Sequence, residues 1–169
     1  MMSTMAETLL RGNPVHTAGD LPKVGDHAPD FSLTKSDLSE ITSADVAGKR
    51  VILNIFPSMD TAVCATSVRK FNELSAGLDN TEVICASADL PFAAGRFCTA
   101  EGIDHVSTGS TFRSSFGTDY GVQMVDGRLA GLMARSVVVL DERGDVIHSQ
   151  LVPAISEEPD YDAAIAALG

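Results

Sequence analysis

The run Arg50-Val51-Ile52-Leu53-Asn54-Ile55-Phe56 is apolar, rich in β-branched residues and of strand length. Pro57 closes it, so it reads as a strand buried on both faces of a sheet. The next residues are Ser58-Met59-Asp60-Thr61-Ala62-Val63-Cys64, followed by Val68, Phe71, Leu74 and Leu78 at three-to-four spacing. That spacing predicts an amphipathic helix ending near Gly77 or Asp79, with Cys64 in its first turn. Glu82 to Ala88 repeats the buried-strand pattern, and Asp89 is placed to cap a short helix that Gly102 stops, leaving Cys98 near its end or in the loop beyond. Ser136 to Leu140 and Val146 to Val152 flank the turn Glu142-Arg143-Gly144-Asp145 as a hairpin, and Pro159 opens a terminal helix to Leu168. Toward the N-terminus, Phe31 to Thr34 reads as a short strand, and Thr42 or Ser43 as the cap of a short helix stopping at Gly48. Leu9 to Ala18 reads as a hairpin that decorates the core without defining it. The fold class expected is α/β: a mixed sheet with helices on both faces, whose first strand-to-helix loop carries a candidate nucleophile.

A length of 169 residues fits one domain over 1–169, and no repeat, linker or low-complexity tract divides it. Twelve Lys and Arg against 23 Asp and Glu leave a net charge of −11, which repels phosphate backbones and anionic lipid. Nucleic acid and membrane surfaces are therefore excluded as expected partners. No apolar run approaches the roughly 20 residues a bilayer requires, and Met1 to Leu10 has neither a basic leader nor an apolar core, so a cytoplasmic location is expected. His16, His27, His105 and His148 show no His-x-x-x-His spacing and no Cys-x-x-Cys is present, so no metal is expected. Without a glycine-rich dinucleotide or phosphate loop, no other cofactor is expected either.

Chemistry narrows to Cys64, Cys85 and Cys98, three thiols that cannot all pair within one chain. An ordinary cysteine is only about 3% thiolate at neutral pH, and making it mostly thiolate takes roughly 3 to 4 kcal/mol of preference for the anion. The first turn of a helix supplies free N–H groups and the positive end of the macrodipole, up to about 2 kcal/mol. A cation must supply the rest. Thr61, three residues before Cys64, can direct its hydroxyl at the sulfur or at a bound oxygen, or can simply cap the helix. Pro57 fixes the approach of the loop. Cys85, between Ile84 and Ala86 in an apolar strand, reads as a buried inert thiol. On spacing alone Cys98, next to Phe97, is as well explained by packing as by function, and Arg135 alone reads as a solvated or salt-bridged arginine.

Pro57-Ser58-Met59-Asp60-Thr61-Ala62-Val63-Cys64 fits the P-x-x-x-T/S-x-x-C signature of the peroxiredoxins, and Gly25 to Leu33 resembles their usual N-terminal approach. The stretches Asn54 to Asn72, Ser87 to Gly102 and Ala134 to Val139 resemble the thiol peroxidase branch, the atypical two-cysteine peroxiredoxins, from about Val15 to the C-terminus. The resemblance implies a thioredoxin-like fold, a homodimer, and reduction of peroxide substrates with thioredoxin as the reductant. It implies that Cys64 is the peroxidatic cysteine, that Thr61 orients the peroxide and that Pro57 shields the pocket. Arg135 would be the active-site arginine and the missing cation. Cys98 would be the resolving cysteine, joined to Cys64 in a redox disulfide. Two rival readings are a thioredoxin-type disulfide oxidoreductase and a redox-inert interaction module. The first would place its second cysteine three residues after the first, where Ser67 stands. Peroxide consumption by the reduced protein separates the second.

Overall fold

The computed structural model describes residues 5–169; the part of the N-terminal reading that falls on residues 1–4 lies outside them. Strand β5 (Arg50–Ile55) is an interior strand of a seven-stranded sheet whose other members are β3 (Ser32–Thr34), β4 (Glu40–Thr42), β6 (Thr81–Ser87), β7 (Ser107–Ser110), β8 (Ser136–Leu140) and β9 (Val146–Leu151). Their order is β4-β3-β7-β6-β5-β8-β9. Strands β5, β6 and β7 run parallel and the remaining pairings are antiparallel, giving the mixed sheet expected. Helix α1 (Ala62–Ser75) connects β5 to β6, α2 (Pro91–Glu101) connects β6 to β7, α3 (Phe116–Asp119) follows β7, and α4 (Tyr161–Ala166) lies near the C-terminus.

The alternation of β5 divides the core into two layers. Val51, Leu53 and Ile55 face one way, packed with Phe31, Phe116 and Tyr120. Ile52 faces the other way with Phe71 of α1 and Ala164 of α4. Helices α1 and α4 thus cover one face, and the short α3 lies on the other.

Three expectations need correction. Residues 43–49 form turns and no helix: Thr42 and Asp45 exchange the bonds of a capping box, Thr42 N–H to Asp45 at 2.9 Å and Asp45 N–H to the Thr42 hydroxyl at 3.3 Å. The backbone bonds that follow span only three residues, Asp45 N–H to Thr42 O, Ala47 N–H to Ala44 O and Lys49 N–H to Val46 O, so successive turns form and no α-helix propagates. The terminal helix starts at Tyr161, two residues after Pro159, with Asp160 as its cap accepting from Ala163 N–H at 3.0 Å. The N-terminal hairpin, β1 (Glu7–Leu10) with β2 (Asn13–His16), does more than decorate. Leu9 N–H donates to Pro153 O at 3.0 Å and Leu9 O accepts from Ile155 N–H at 2.9 Å, which fixes the segment after β9. Among the described residues no helix is long and apolar enough to cross a membrane.

Candidate active site

The chain leaves β5 at Ile55, turns through Phe56 to Thr61 and enters α1, of which Cys64 is the third residue. This puts the sulfur at the carboxyl end of the parallel strands, where open α/β sheets place their sites. Its backbone lies in the turn whose N–H groups have no helical acceptor. Cys64 is completely buried, in a cluster with Phe56, Met59, Val68, Cys85 and Ala94, with Phe97 packed against it. Pro57 is buried as well. Thr61 occupies the cap position but makes no capping bond; its hydroxyl donates to Ser58 O at 3.0 Å. That proton being committed, the exposed Thr61 oxygen presents lone pairs to any donor that arrives.

Arg135 reaches this site through strand register. Strand β8 pairs antiparallel to β5 with Ser136 opposite Ile55, so the residue just before β8 falls beside the loop that leaves β5. The Arg135 Nη2 donates to Cys64 Sγ at 3.2 Å and Nε donates to Ile155 O at 2.8 Å. Arg135 is 2% exposed, and its Nη1 has no hydrogen-bond partner among the described residues. A buried charged donor without an acceptor is costly, and this one can bond an oxygen brought to the sulfur.

The other two thiols differ sharply from Cys64 in surroundings. Cys85 lies within β6, facing the same buried cluster, and accepts a long contact of 3.7 Å from the Asn54 amide. Burial pushes its pKa up to about 12. Cys98 is half-buried in the last turn of α2, inside the helix rather than in the loop, and burial raises its pKa too. All three are free thiols, on β6 and on two intact helices. Because the fold holds Cys85 protonated where the unfolded chain ionises near 9.0, the folded state retains a proton that the unfolded one loses. Stability should therefore fall as pH rises from about 9 toward 12. The Cys98 shift acts in the same direction. A urea midpoint that stays level over that interval would contradict the burial of Cys85.

Sequence reasoning missed the partners that hold these groups. Asp89, expected as a helix cap, yields that position to Leu90 and instead accepts from Ser58 and Met59 in the loop before α1. Ser67 donates to Cys64 O at 2.8 Å and accepts from the Asn54 amide at 3.3 Å. No local pattern announces Ile155 as the acceptor for Arg135. Among the described residues no cluster of three or more His, Cys, Asp or Glu side chains could hold a metal ion.

Comparison with known proteins gives the family. The family described as Redoxin matches residues 23–165. The chain is 57% identical to a thiol peroxidase of Corynebacterium glutamicum, over 97% of this chain and 99% of the relative. It is 56% identical to a thiol peroxidase of Mycobacterium tuberculosis, over 98% and 99%. The crystal structure of a peroxiredoxin-like protein from Aquifex aeolicus superposes with a TM-score of 0.91 at 41% identity, covering 97% of this chain and 96% of the other. With a thioredoxin-like mixed sheet, and a buried arginine against a helix-start cysteine, the chain belongs to the thiol peroxidases of the redoxin family.

Proposed function

We propose that this thiol peroxidase reduces hydrogen peroxide and organic hydroperoxides at Cys64, with Arg135 and Thr61 holding the peroxide and Pro57 shielding the pocket. The observation that carries the reading is the Arg135 guanidinium: one arm lies 3.2 Å from the sulfur and a second buried arm is without an acceptor. A peroxide placed between them receives a hydrogen bond from Nη1 and can donate its own proton to the Thr61 oxygen. The Cys64 thiolate attacks the nearer oxygen, the O–O bond breaks, and the sulfur is oxidised to sulfenic acid. The farther oxygen leaves as hydroxide or alkoxide and takes up a proton, its developing charge stabilised by Arg135. Because the sulfur is fully covered, access requires a local movement, and the flexible side chain of Met59 in the same cluster is the least costly to displace.

Cys98 then attacks the sulfenic sulfur, forming the Cys64–Cys98 disulfide and expelling water, and a dithiol reductant restores both thiols by exchange. Thioredoxin as that reductant, a homodimer, a cytoplasmic location and a single domain over 1–169 complete the proposal; the family relationship supports them. The bond closes a loop from residue 64 to residue 98, a constraint worth roughly 3 to 4 kcal/mol in the chain-entropy picture.

One equivalent of peroxide tests the scheme. Cys98→Ser should trap Cys64 as sulfenic acid and stop thioredoxin-linked turnover. Cys85→Ser should leave both reactions nearly unchanged, because that thiol sits in a paired strand. The wild-type protein should run at monomer size on non-reducing gels. Peptide mapping that finds Cys64 bonded to Cys85, or an obligatory bridge between subunits, would overturn the assignment.

A further inference from the structure

We propose that Asp89 is a positioning residue that latches the loop before Cys64 to the helix carrying Cys98. Sulfenic acid is made with the latch closed and resolved with it open. The inference rests on the roles given to Cys64 and Cys98 above.

Asp89 lies between the end of β6 and the cap residue of α2, and its carboxylate turns away from that helix. Its Oδ1 accepts the Ser58 hydroxyl at 2.7 Å; Oδ2 accepts Met59 N–H at 2.8 Å and the Ser87 hydroxyl at 2.8 Å. All three partners donate, and a carboxylate only accepts, so the set has no polar conflict and each bond is charge-assisted. The Ser110 hydroxyl of β7 donates to the Asp89 carbonyl at 2.5 Å and anchors the backbone at the same point.

On the loop side the contacts continue to the reacting groups. The Ser58 oxygen Oγ accepts Asp60 N–H at 3.1 Å. The Ser58 carbonyl accepts Thr61 N–H at 3.2 Å and the Thr61 hydroxyl at 3.0 Å. Asp89 therefore fixes the residue that orients the Thr61 hydroxyl, and through Met59 it fixes a member of the cluster around Cys64. On the other side only Leu90 separates Asp89 from α2, whose last turn holds Cys98.

The two chemical steps make opposite demands on such a latch. Attack on peroxide needs Thr61 and Cys64 held in place. Disulfide formation needs the two Cα atoms within about 7 Å, and the thiols start on separate intact helices, so the first turn of α1 or the end of α2 must come away. While the sulfenic acid waits, a second peroxide can oxidise it to sulfinic acid, with the O–O bond breaking and water or an alcohol leaving. The latch thus divides the sulfenic acid between resolution and overoxidation.

The test is rapid-quench mass spectrometry of the reduced full chain mixed with hydrogen peroxide, suited to a protein without tryptophan. Asp89→Ala should slow sulfenic acid formation about tenfold and speed disulfide formation about tenfold, the scale of one charge-assisted hydrogen bond. It should also lower the sulfinic acid formed at high peroxide. Ser58→Ala, which removes one bond of the three, should move both rates in the same directions by less, and decides the matter if Asp89→Ala does not fold. The double variant should exceed Asp89→Ala by little, since Ser58 acts through the carboxylate. Val46→Ala, buried in the opposite core layer, should lower the melting temperature and move neither rate. Disulfide formation no faster in either single variant, or both rates slowed alike, overturns the latch. Failure of the wild-type protein to form sulfenic acid at Cys64 overturns the site assignment itself, a separate and recognisable result.

Discussion

Cys64→Ser is expected to reduce peroxide turnover to less than about a hundredth of the wild-type value, on the scale seen when a covalent nucleophile is lost. A serine hydroxyl at this position remains neutral near neutral pH, where even an arginine at 3.2 Å cannot make it a comparable anion. The two remaining thiols cannot take over. Burial raises the pKa of both, Cys85 to about 12, and neither accepts a hydrogen bond from the guanidinium. Peroxide consumption by the purified variant, measured with an excess of dithiol reductant, checks this. Residual turnover above about one tenth would defeat the assignment of the nucleophile.

Arg135→Ala is expected to lower the second-order rate constant for peroxide about 100- to 1,000-fold, the range found when one donor to a developing oxyanion is removed. The effect follows from geometry: the substitution removes the donor at 3.2 Å from the sulfur and the buried Nη1 that would hold the peroxide. The substitution also leaves Ile155 O without its donor at 2.8 Å, so folding must be checked by circular dichroism. Arg135→Lys provides the control, restoring the charge without the planar fork that bonds sulfur and carbonyl together, and should recover only part of the rate. A peroxide rate constant unchanged in a folded Arg135→Ala would remove the guanidinium from the reaction at Cys64.

How much of this was legible in the sequence depended on whether a segment's partners were near it. Strand β5 and helix α1 were readable because apolar spacing reports burial directly, and the loop between them carried its own signature. Strand β7, Ser107-Thr108-Gly109-Ser110, was not, since small polar residues give no alternation. It is buried because Gly109 has no side chain: a Cβ there would stand 2.8 Å from Leu33 Cβ and 3.3 Å from Ile84 Cγ2, so only glycine lets those residues close over the strand. Asp89 was read as a cap because its neighbours resemble the start of a helix. Its actual partners, Ser58 and Met59, lie about 30 residues earlier and are brought to it only by the parallel pairing of β5 with β6. The same holds for Arg135, whose role came from family resemblance, while the structural reason is the register of β8 against β5.

The support of Arg135 by Ile155, itself held by Leu9, gives the reactivity of Cys64 an order in time. On a ribosome the cysteine is made 71 residues before the arginine bonded to it, and the carbonyl seating that arginine is made 20 residues later still. The first hairpin waits for the segment after β9 before it can grip it. Until nearly the whole chain has been synthesised and folded, Cys64 is a thiol without its cation. Under the role proposed for Arg135, a newly made chain meets peroxide with an ordinary thiol, and what delays its full reactivity is the distance along the chain between the groups that must meet.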